Sequence, residues 1–314
     1  MRERKRAREG DWDGGRIGGG ASEADSPTLP LPHSPTLPLS HSSSHFPRVT
    51  VVGIAVDNVS EDEALSLIEE CIDGVAPAFM AVVNAAKLVS ARRDDDLRNA
   101  LMSADLVTAD GMSVVWASRL LGSPLKERVT GIDMFERLIG HAARRGASVY
   151  LLGGRDEAVG GIVTRFRREY PNLRVAGYRN GYFNAAEAGA VVEQIKQSGA
   201  ELLFVAMGSP MQEIWIASNL AATGARFALG VGGAFDHLSG LSHRAPGWMQ
   251  QAGVEWLYRL LSEPRRLWRR YLIGNLRFTW LVAKQLVSPA SLMNERRKGK
   301  NDGPGQTGDT GRNE

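Results

Sequence analysis

Between Arg48 and Gly233 short apolar runs alternate with helix-like stretches, and this alternation constrains the fold more than any other feature of the chain. RVTVVGIAV, AFMAVV, DLVTA, ASVYLLGG, LRVAG, ELLFVAMG and RFALGVGG read as strands, and the later ones close on glycine. Strands separated by helices of about ten residues or more imply βα units. The predicted class is α/β, a Rossmann-like, mostly parallel sheet flanked by helices. Ligands of such sheets gather at the carboxyl ends of the strands. The positions to inspect are therefore Asn84, Asp110, Gly153-Gly154, the segment Gly208 to Gln212 and the segment Gly232 to Asp236.

Local signals set several helix starts. Ser60 with Glu63 makes a capping box, Thr130 is placed to cap the helix that follows it, and one helix is expected from Asn84 through Leu101. Ser209 with Gln212 fits a second box, with Pro210 at the first helical position. In ADLVTADGMSVVWASRLLG a carboxylate, Asp110, stands where a strand runs into a helix. It can be a cap for that helix or a chemical group.

Composition bounds the surroundings of this core. Of 314 residues 43% are hydrophobic and 23% charged, ordinary for a soluble globular chain with a sizeable interior. Cys71 is the single cysteine, which rules out an intrachain disulfide and suits a reducing cytosol. It continues an apolar stripe with Ala64, Leu67, Ile68 and Ile72, so it reads as core. The net charge of +3 is uneven: residues 265–300 carry seven Arg and three Lys against Glu295, leaving −6 for the remainder. A basic block beside an acidic body suggests an anionic partner, a membrane surface or a phosphate-rich substrate.

Four segments are expected. Residues 1–45, with the basic opening RERKRAR and a repeated SPTLPL, form a disordered arm that lacks the apolar stretch of a secretory signal. Residues 46–247 form the core. Residues 248–290, rich in Trp, Leu and Arg at helical spacing, form a basic amphipathic appendage suited to an anionic bilayer surface. Residues 291–314 form a loose tail. No run of about 18 uncharged apolar residues occurs, so no spanning helix is expected.

Several chemistries are disfavoured. LLGGRDEAVGG lacks the G-x-G-x-x-G fingerprint, and no G-x-x-x-x-G-K-[ST] loop is present, although glycine turns before helices can still hold a diphosphate. Asp94-Asp95-Asp96 resembles a metal-holding D-x-D but lies inside the helix expected to reach Leu101, and reads as a solvated face. His33, His41 and His45 fall in the arm, while His141, His237 and His243 show no ligand spacing. No metal site and no cofactor are expected.

Seven pieces in unbroken order carry a resemblance: VVNAAKLV, ADLVTADGMSVVWASRLLGSPLKERVTGIDMF, VYLLGG, GYF, GSPMQEIW, GVGGAFDHLSG and RAPGWMQQAGVEWLYRLLSEPRRLWRRY. Together, from about Thr50 to Tyr271, they resemble the WecG/TagA/CpsF family of glycosyltransferases. The resemblance implies metal-independent, inverting transfer of an N-acetylmannosamine-type sugar from a UDP donor to a polyprenyl-diphosphate-linked N-acetylglucosamine. It implies a C-terminal appendage that meets the membrane and completes the site.

Carried onto this chain, Asp110 matches the catalytic base, with Asn84, Arg128 and Gln212 around the same pocket. Tyr182 and Asp236 match positions near the nucleotide, and Arg259, Arg266 and Arg269 match appendage arginines; Gly153, Gly154 and Gly208, from the strand ends, join them as substrate-binding candidates. Two residues depart from the family pattern, Val82 where Thr is common and Met211 where Lys is common. Both bear on donor contacts.

The residue types suit such a reaction. An attacking hydroxyl needs a base, and a departing diphosphate needs compensating charge, which without a metal must come from arginines and helix N-termini. The implied place is the cytoplasmic face of the plasma membrane, with peripheral attachment, a UDP-sugar and a lipid-linked acceptor as partners and no nucleic acid. Homo-oligomer formation is left open. Other readings are transfer of glucose or a uronic acid for capsule or exopolysaccharide, a non-catalytic nucleotide-sugar-binding protein, and an oxidoreductase, the last disfavoured by the missing fingerprint.

Overall fold

A computed structural model of the chain describes residues 46–241, 245–246, 249, 255–262 and 264–287. The expected arm, 1–45, and tail, 291–314, lie outside the described residues. In chain order the elements are β1 (Arg48–Val51), β2 (Ile54–Asp57), α1 (Glu61–Asp73), β3 (Ala78–Val83), α2 (Ala85–Ser90), α3 (Asp95–Ser103), β4 (Leu106–Ala109), α4 (Met112–Leu120) and α5 (Gly131–Arg145). There follow β5 (Ser148–Gly153), α6 (Asp156–Glu169), β6 (Arg174–Arg179), α7 (Ala185–Ser198), β7 (Leu202–Ala206), α8 (Met211–Thr223), β8 (Phe227–Gly230), α9 (Ala234–Leu238), α10 (Glu255–Ser262) and α11 (Pro264–Val287).

Six strands form one sheet in the order β4-β3-β8-β7-β5-β6, every neighbouring pair parallel. This is the expected α/β class. Strand side chains alternate between two apolar layers because successive Cβ atoms point to opposite faces. In β3, Phe79, Ala81 and Val83 join one layer while Ala78, Met80 and Val82 join the other. The first layer is covered by α2, α3, α4, α7, α8, α11 and the β1–β2 hairpin, the second by α1, α5, α6 and α9.

Local chemistry sets the helices that matter for the site. Thr130 caps α5 as expected, its hydroxyl accepting the Asp133 N–H at 3.1 Å, and Gly146 ends the helix at φ 76°. Between these caps Met134, Phe135, Leu138, Ile139 and Ala142 repeat at helical spacing and are all buried. Phe135 meets Phe166, Phe204 and Phe235 at ring-centroid distances of 5.6, 4.5 and 5.7 Å, locking α5, α6, β7 and α9 together. Ser60 and Glu63 make the expected capping box of α1.

Three local expectations are corrected, and one open alternative is settled. RVTVVGIAV is not one strand: it folds back at Val52 and Gly53, φ 51° and 83°, into an antiparallel hairpin. Positive φ at both central residues matches the twist of a two-residue hairpin turn. A valine there is costly, and support comes from afar. Gln285 of α11 accepts the Val52 N–H and donates to the Thr50 carbonyl, both at 2.8 Å. The helix expected from Asn84 to Leu101 is two, because Asp94 turns its carboxylate to the Leu97 N–H at 2.9 Å and starts α3 afresh.

The Ser209–Gln212 box is absent. Pro210 occupies the N-cap of α8 with no side-chain bond, and the Gln212 side chain runs inward. Asp110 does not cap the helix that follows it either: Gly111 is the N-cap of α4, again without a side-chain bond.

The C-terminal helix is anchored on the first layer. Phe278 and Val282 are buried in that core beside α2, and Gln285 clasps the hairpin turn. The opposite side of α11, with Ile273, Leu276 and Trp280, stays exposed. Among the described residues no helix is long and apolar enough to cross a membrane.

Candidate active site

The loop after β3 leads to α2 on one face of the sheet, and the loop after the adjacent β8 leads to α9 on the other. Where neighbouring strands send their connections to opposite faces, a crevice opens at their carboxyl ends. Asn84 follows β3 and Asp110 follows the neighbouring β4; the register pairs Val83 with Ala109, one step before them. Gly111 is so close that a Cβ on it would stand 3.5 Å from the Asn84 Cβ. These two sequence-predicted residues are therefore side by side.

Asp110 is held from two directions. Its backbone N–H donates to the Val83 carbonyl at 2.9 Å, continuing the sheet past β4. Its carboxylate accepts the N–H of Gly131, the first residue of α5, at 3.4 Å. The positive end of the α5 dipole thus faces this carboxylate. Asp110 remains half-exposed, so its charge is held at the rim of the crevice and not sealed beneath it.

Asn84 is the N-cap of α2, its Oδ1 accepting the Lys87 N–H at 3.0 Å. Because the oxygen is used for capping, the amide nitrogen is the part left for other contacts. Arg128 is half-buried two residues before Thr130; the next residue, Val129, donates its N–H to the Ala109 carbonyl at 3.0 Å. The backbone of the Arg128 loop thereby runs directly beside Asp110.

Gln212 comes to the same strand ends from α8 but is only 2% exposed. Its Oε1 accepts the Gly232 N–H at 3.0 Å and its Nε2 donates to Glu213 Oε1 at 2.8 Å. A Cβ on Gly230 would lie 2.7 Å from that Nε2, so a glycine is needed there for the amide to fit. Gln212 braces the turn between β8 and α9 from below.

A second cluster lies at the ends of β5 and β6. Gly153, at φ 127°, has no room for a side chain, since a Cβ would overlap the Ala206 backbone. Gly154 donates to the Ala206 carbonyl at 2.9 Å and accepts from Gly181 at 3.0 Å, which brings the Tyr182 turn alongside. Tyr182 is exposed, its N–H donating to Asn180 Oδ1 at 3.0 Å. Asp236 is exposed on α9, next to Phe235, whose ring packs where a Cβ on Gly154 would sit 3.4 Å away. Gly153, Gly154 and the Tyr182 turn are thus brought together, with Asp236 one residue from the ring that packs on Gly154, while Gly208, at φ 76°, precedes α8.

The side chains of Arg259, Arg266 and Arg269 lie outside the described residues, although α10 and α11 carry their backbone. Of the two departures, Val82 packs with its Cγ2 3.4 Å from where a Cβ on Gly131 would be, and Met211 is exposed at the start of α8. Among the described residues no three His, Cys, Asp or Glu side chains are grouped to hold a metal ion. Cys71 is half-buried on α1; burial, then Asp105 and Glu70, push its thiol up to about 11.

Two residues of the strand-end network escaped the sequence reading. Lys87 and Glu213 are both buried, and Lys87 Nζ donates to Glu213 Oε1 at 2.7 Å and to the Val82 carbonyl at 2.6 Å. A signal existed in NAAKLV: Lys87 shares the inward side of a short helix with Ala85 and Leu88, and a lysine there needs a partner. Nothing local says that the partner is 126 residues away.

Residues 49–291 match the family described as Glycosyl transferase WecG/TagA/CpsF family. A Bacillus subtilis (strain 168) protein named N-acetylglucosaminyldiphosphoundecaprenol N-acetyl-beta-D-mannosaminyltransferase is 35% identical over 201 residues, covering 64% of this chain and 77% of that protein.

Proposed function

From the premise that this chain belongs to the WecG/TagA/CpsF family of glycosyl transferases, we propose that it moves an N-acetylmannosamine-type sugar from a UDP donor to a polyprenyl-diphosphate-linked N-acetylglucosamine. The observation that carries this reading is the meeting of Asp110, Asn84 and the α5 N-terminus at the ends of β4 and β3, next to the switch between β3 and β8. The acceptor follows the name of the Bacillus subtilis relative.

In this reading Asp110 takes the proton of the attacking acceptor hydroxyl. The acceptor oxygen forms its bond to the anomeric carbon as the bond from that carbon to the diphosphate oxygen breaks, and the electron pair leaves on UDP. Attack opposite the leaving group inverts the anomeric centre. A positioned base contributes about 10²- to 10⁴-fold. The Asn84 amide nitrogen and the Arg128 guanidinium supply donors to the departing diphosphate, so no metal is needed. Tyr182 and Asp236 hold the nucleotide side of the donor, and Arg259, Arg266 and Arg269 add charge from the appendage.

The acceptor's lipid confines the reaction to a bilayer, and we place the enzyme peripherally at the cytoplasmic face. The exposed side of α11 supports this: Ile273, Leu276 and Trp280 lie with Arg277 and Lys284, the Lys284 ammonium 5.7 Å from the Trp280 ring centroid. Apolar groups flanked by cations suit an anionic bilayer surface.

The test is incubation with a polyprenyl-diphosphate-GlcNAc analogue and a panel of UDP-sugars, with and without EDTA. Transfer from the N-acetylmannosamine donor that survives EDTA supports the reading. Preference for UDP-glucose or a UDP-uronic acid would replace the sugar, loss with EDTA would replace the charge assignment, and UDP-sugar binding without transfer would leave a binding protein.

A further inference from the structure

The transfer step has no use for the Lys87–Glu213 pair, yet the pair is wired to both sides of the crevice. The Lys87 backbone N–H is the group that Asn84 Oδ1 caps, and its ammonium ties the end of β3, through the Val82 carbonyl, to Glu213. Glu213 Oε1 accepts from Lys87 and from Gln212 Nε2 at once, so it can only be an acceptor. A glutamine amide can turn over and exchange its oxygen for its nitrogen. Because Glu213 takes the nitrogen, the Gln212 oxygen is left facing the Gly232 N–H. Reversed, the amide would set a donor against that donor.

The pair is not organised for stability alone. Desolvating two charges costs enough that a well-packed apolar replacement is often as stable. Moreover, Glu213 Oε2 is buried without a hydrogen-bond partner among the described residues, which adds a further cost.

We propose that Lys87 and Glu213 are positioning residues for sugar transfer: the pair sets the Gln212 amide, the amide holds the Gly232 turn between β8 and α9, and through Glu213 Lys87 ties that turn to the end of β3 and to Asn84, which follows it. The two sides of the donor crevice are thereby kept at one spacing. The inference rests on the transfer reading for its consequence in catalysis, but the link from Glu213 to Gly232 stands on the hydrogen bonds alone.

The experiment compares Glu213→Gln, which can present an amide nitrogen to Gln212 and allow the reversal, in the native and Gln212→Ala backgrounds. Transfer kinetics and hydrogen exchange of the Gly232 amide are followed in each. In the native background kcat falls about tenfold or more while the donor KM changes less than about threefold, and the Gly232 amide exchanges about tenfold faster. In the Gln212→Ala background the same substitution changes kcat less than about threefold, since the intermediary is gone. Equal loss in both backgrounds, or unchanged Gly232 exchange, overturns the proposal. If Glu213→Gln does not fold, Lys87→Met with Glu213→Leu, which leaves no lone buried charge, is put through the same comparisons with the same deciding outcomes. Should the wild-type protein transfer no sugar, the transfer reading falls, while Gly232 exchange still decides whether the pair holds the turn.

Discussion

The Asp110 carboxylate and the Gly131 N–H face each other at 3.4 Å, joining the end of β4 to the start of α5. The carboxylate thus does not cap the helix next in sequence. It is aimed by a helix that begins 21 positions later. The α5 dipole complements its charge, and a half-exposed position keeps it reachable by substrate. A carboxylate assigned to proton removal needs both properties.

Gly230→Ala should damage the site from beneath. The added methyl would stand 2.7 Å from Gln212 Nε2, so the amide must shift or the end of β8 must move. Overpacking of this kind costs about 1–3 kcal/mol. Thermal unfolding and transfer kinetics should both register it, with the Gly232 amide exchanging faster because its acceptor, Gln212 Oε1, is displaced. Unchanged stability together with unchanged activity would mean that the strand end accommodates the methyl freely.

The two sides of α11 should separate folding from membrane contact. Phe278→Ala removes a buried ring from the first core layer and should cost about 3–5 kcal/mol in denaturant unfolding. Replacing Ile273, Leu276 and Trp280 together with Ser should leave unfolding nearly unchanged, because all three are exposed. Sedimentation with vesicles containing anionic lipid should then fall markedly for the triple variant. Wild-type vesicle binding by that variant would remove α11 from the membrane-facing surface.

Cys71 should be a slow thiol. Burial raises its pKa to about 11 from 9.0, lowering the thiolate fraction at pH 8 by about a hundredfold. Alkylation of the native protein should lag that of the unfolded chain by at least this factor. The sign of the linkage follows: the folded state retains the thiol proton, so this contribution to stability is complete below the unfolded thiol pKa and is lost as pH rises toward about 11. Rapid native alkylation at pH 8 would contradict the account.

What could be read from the sequence was whatever has a short period or a local cap. The strands of the parallel sheet alternate or run apolar, and Ser60 and Thr130 announce their helices within three residues. What could not be read depends on distant partners. Val52 turns the hairpin with Gln285 of α11 as its support, and Gly53 beside it is the turn's local signal. Gln212 reads as half of a capping box, but its side chain is drawn inward by Gly232 and Glu213.

In α11, Phe278, Val282 and Gln285 repeat at helical spacing on the side that packs, a period that the arginines between the apolar residues hide in the sequence. For the site, the strand-end rule brought out Asn84, Asp110 and Gln212, while Lys87 looked like one more helix residue. Its burial is a tertiary fact.

The most direct measurement is single-turnover transfer by the wild-type protein and Asp110→Asn, at donor concentrations that saturate both, with donor affinity measured separately. Asparagine keeps the shape and can still accept the Gly131 N–H, but it cannot take the acceptor proton. For Asp110→Asn the transfer rate should be lower by about 10²-fold or more, with donor affinity and thermal stability near wild type. Transfer by Asp110→Asn at the wild-type rate would contradict the role of Asp110 as the base.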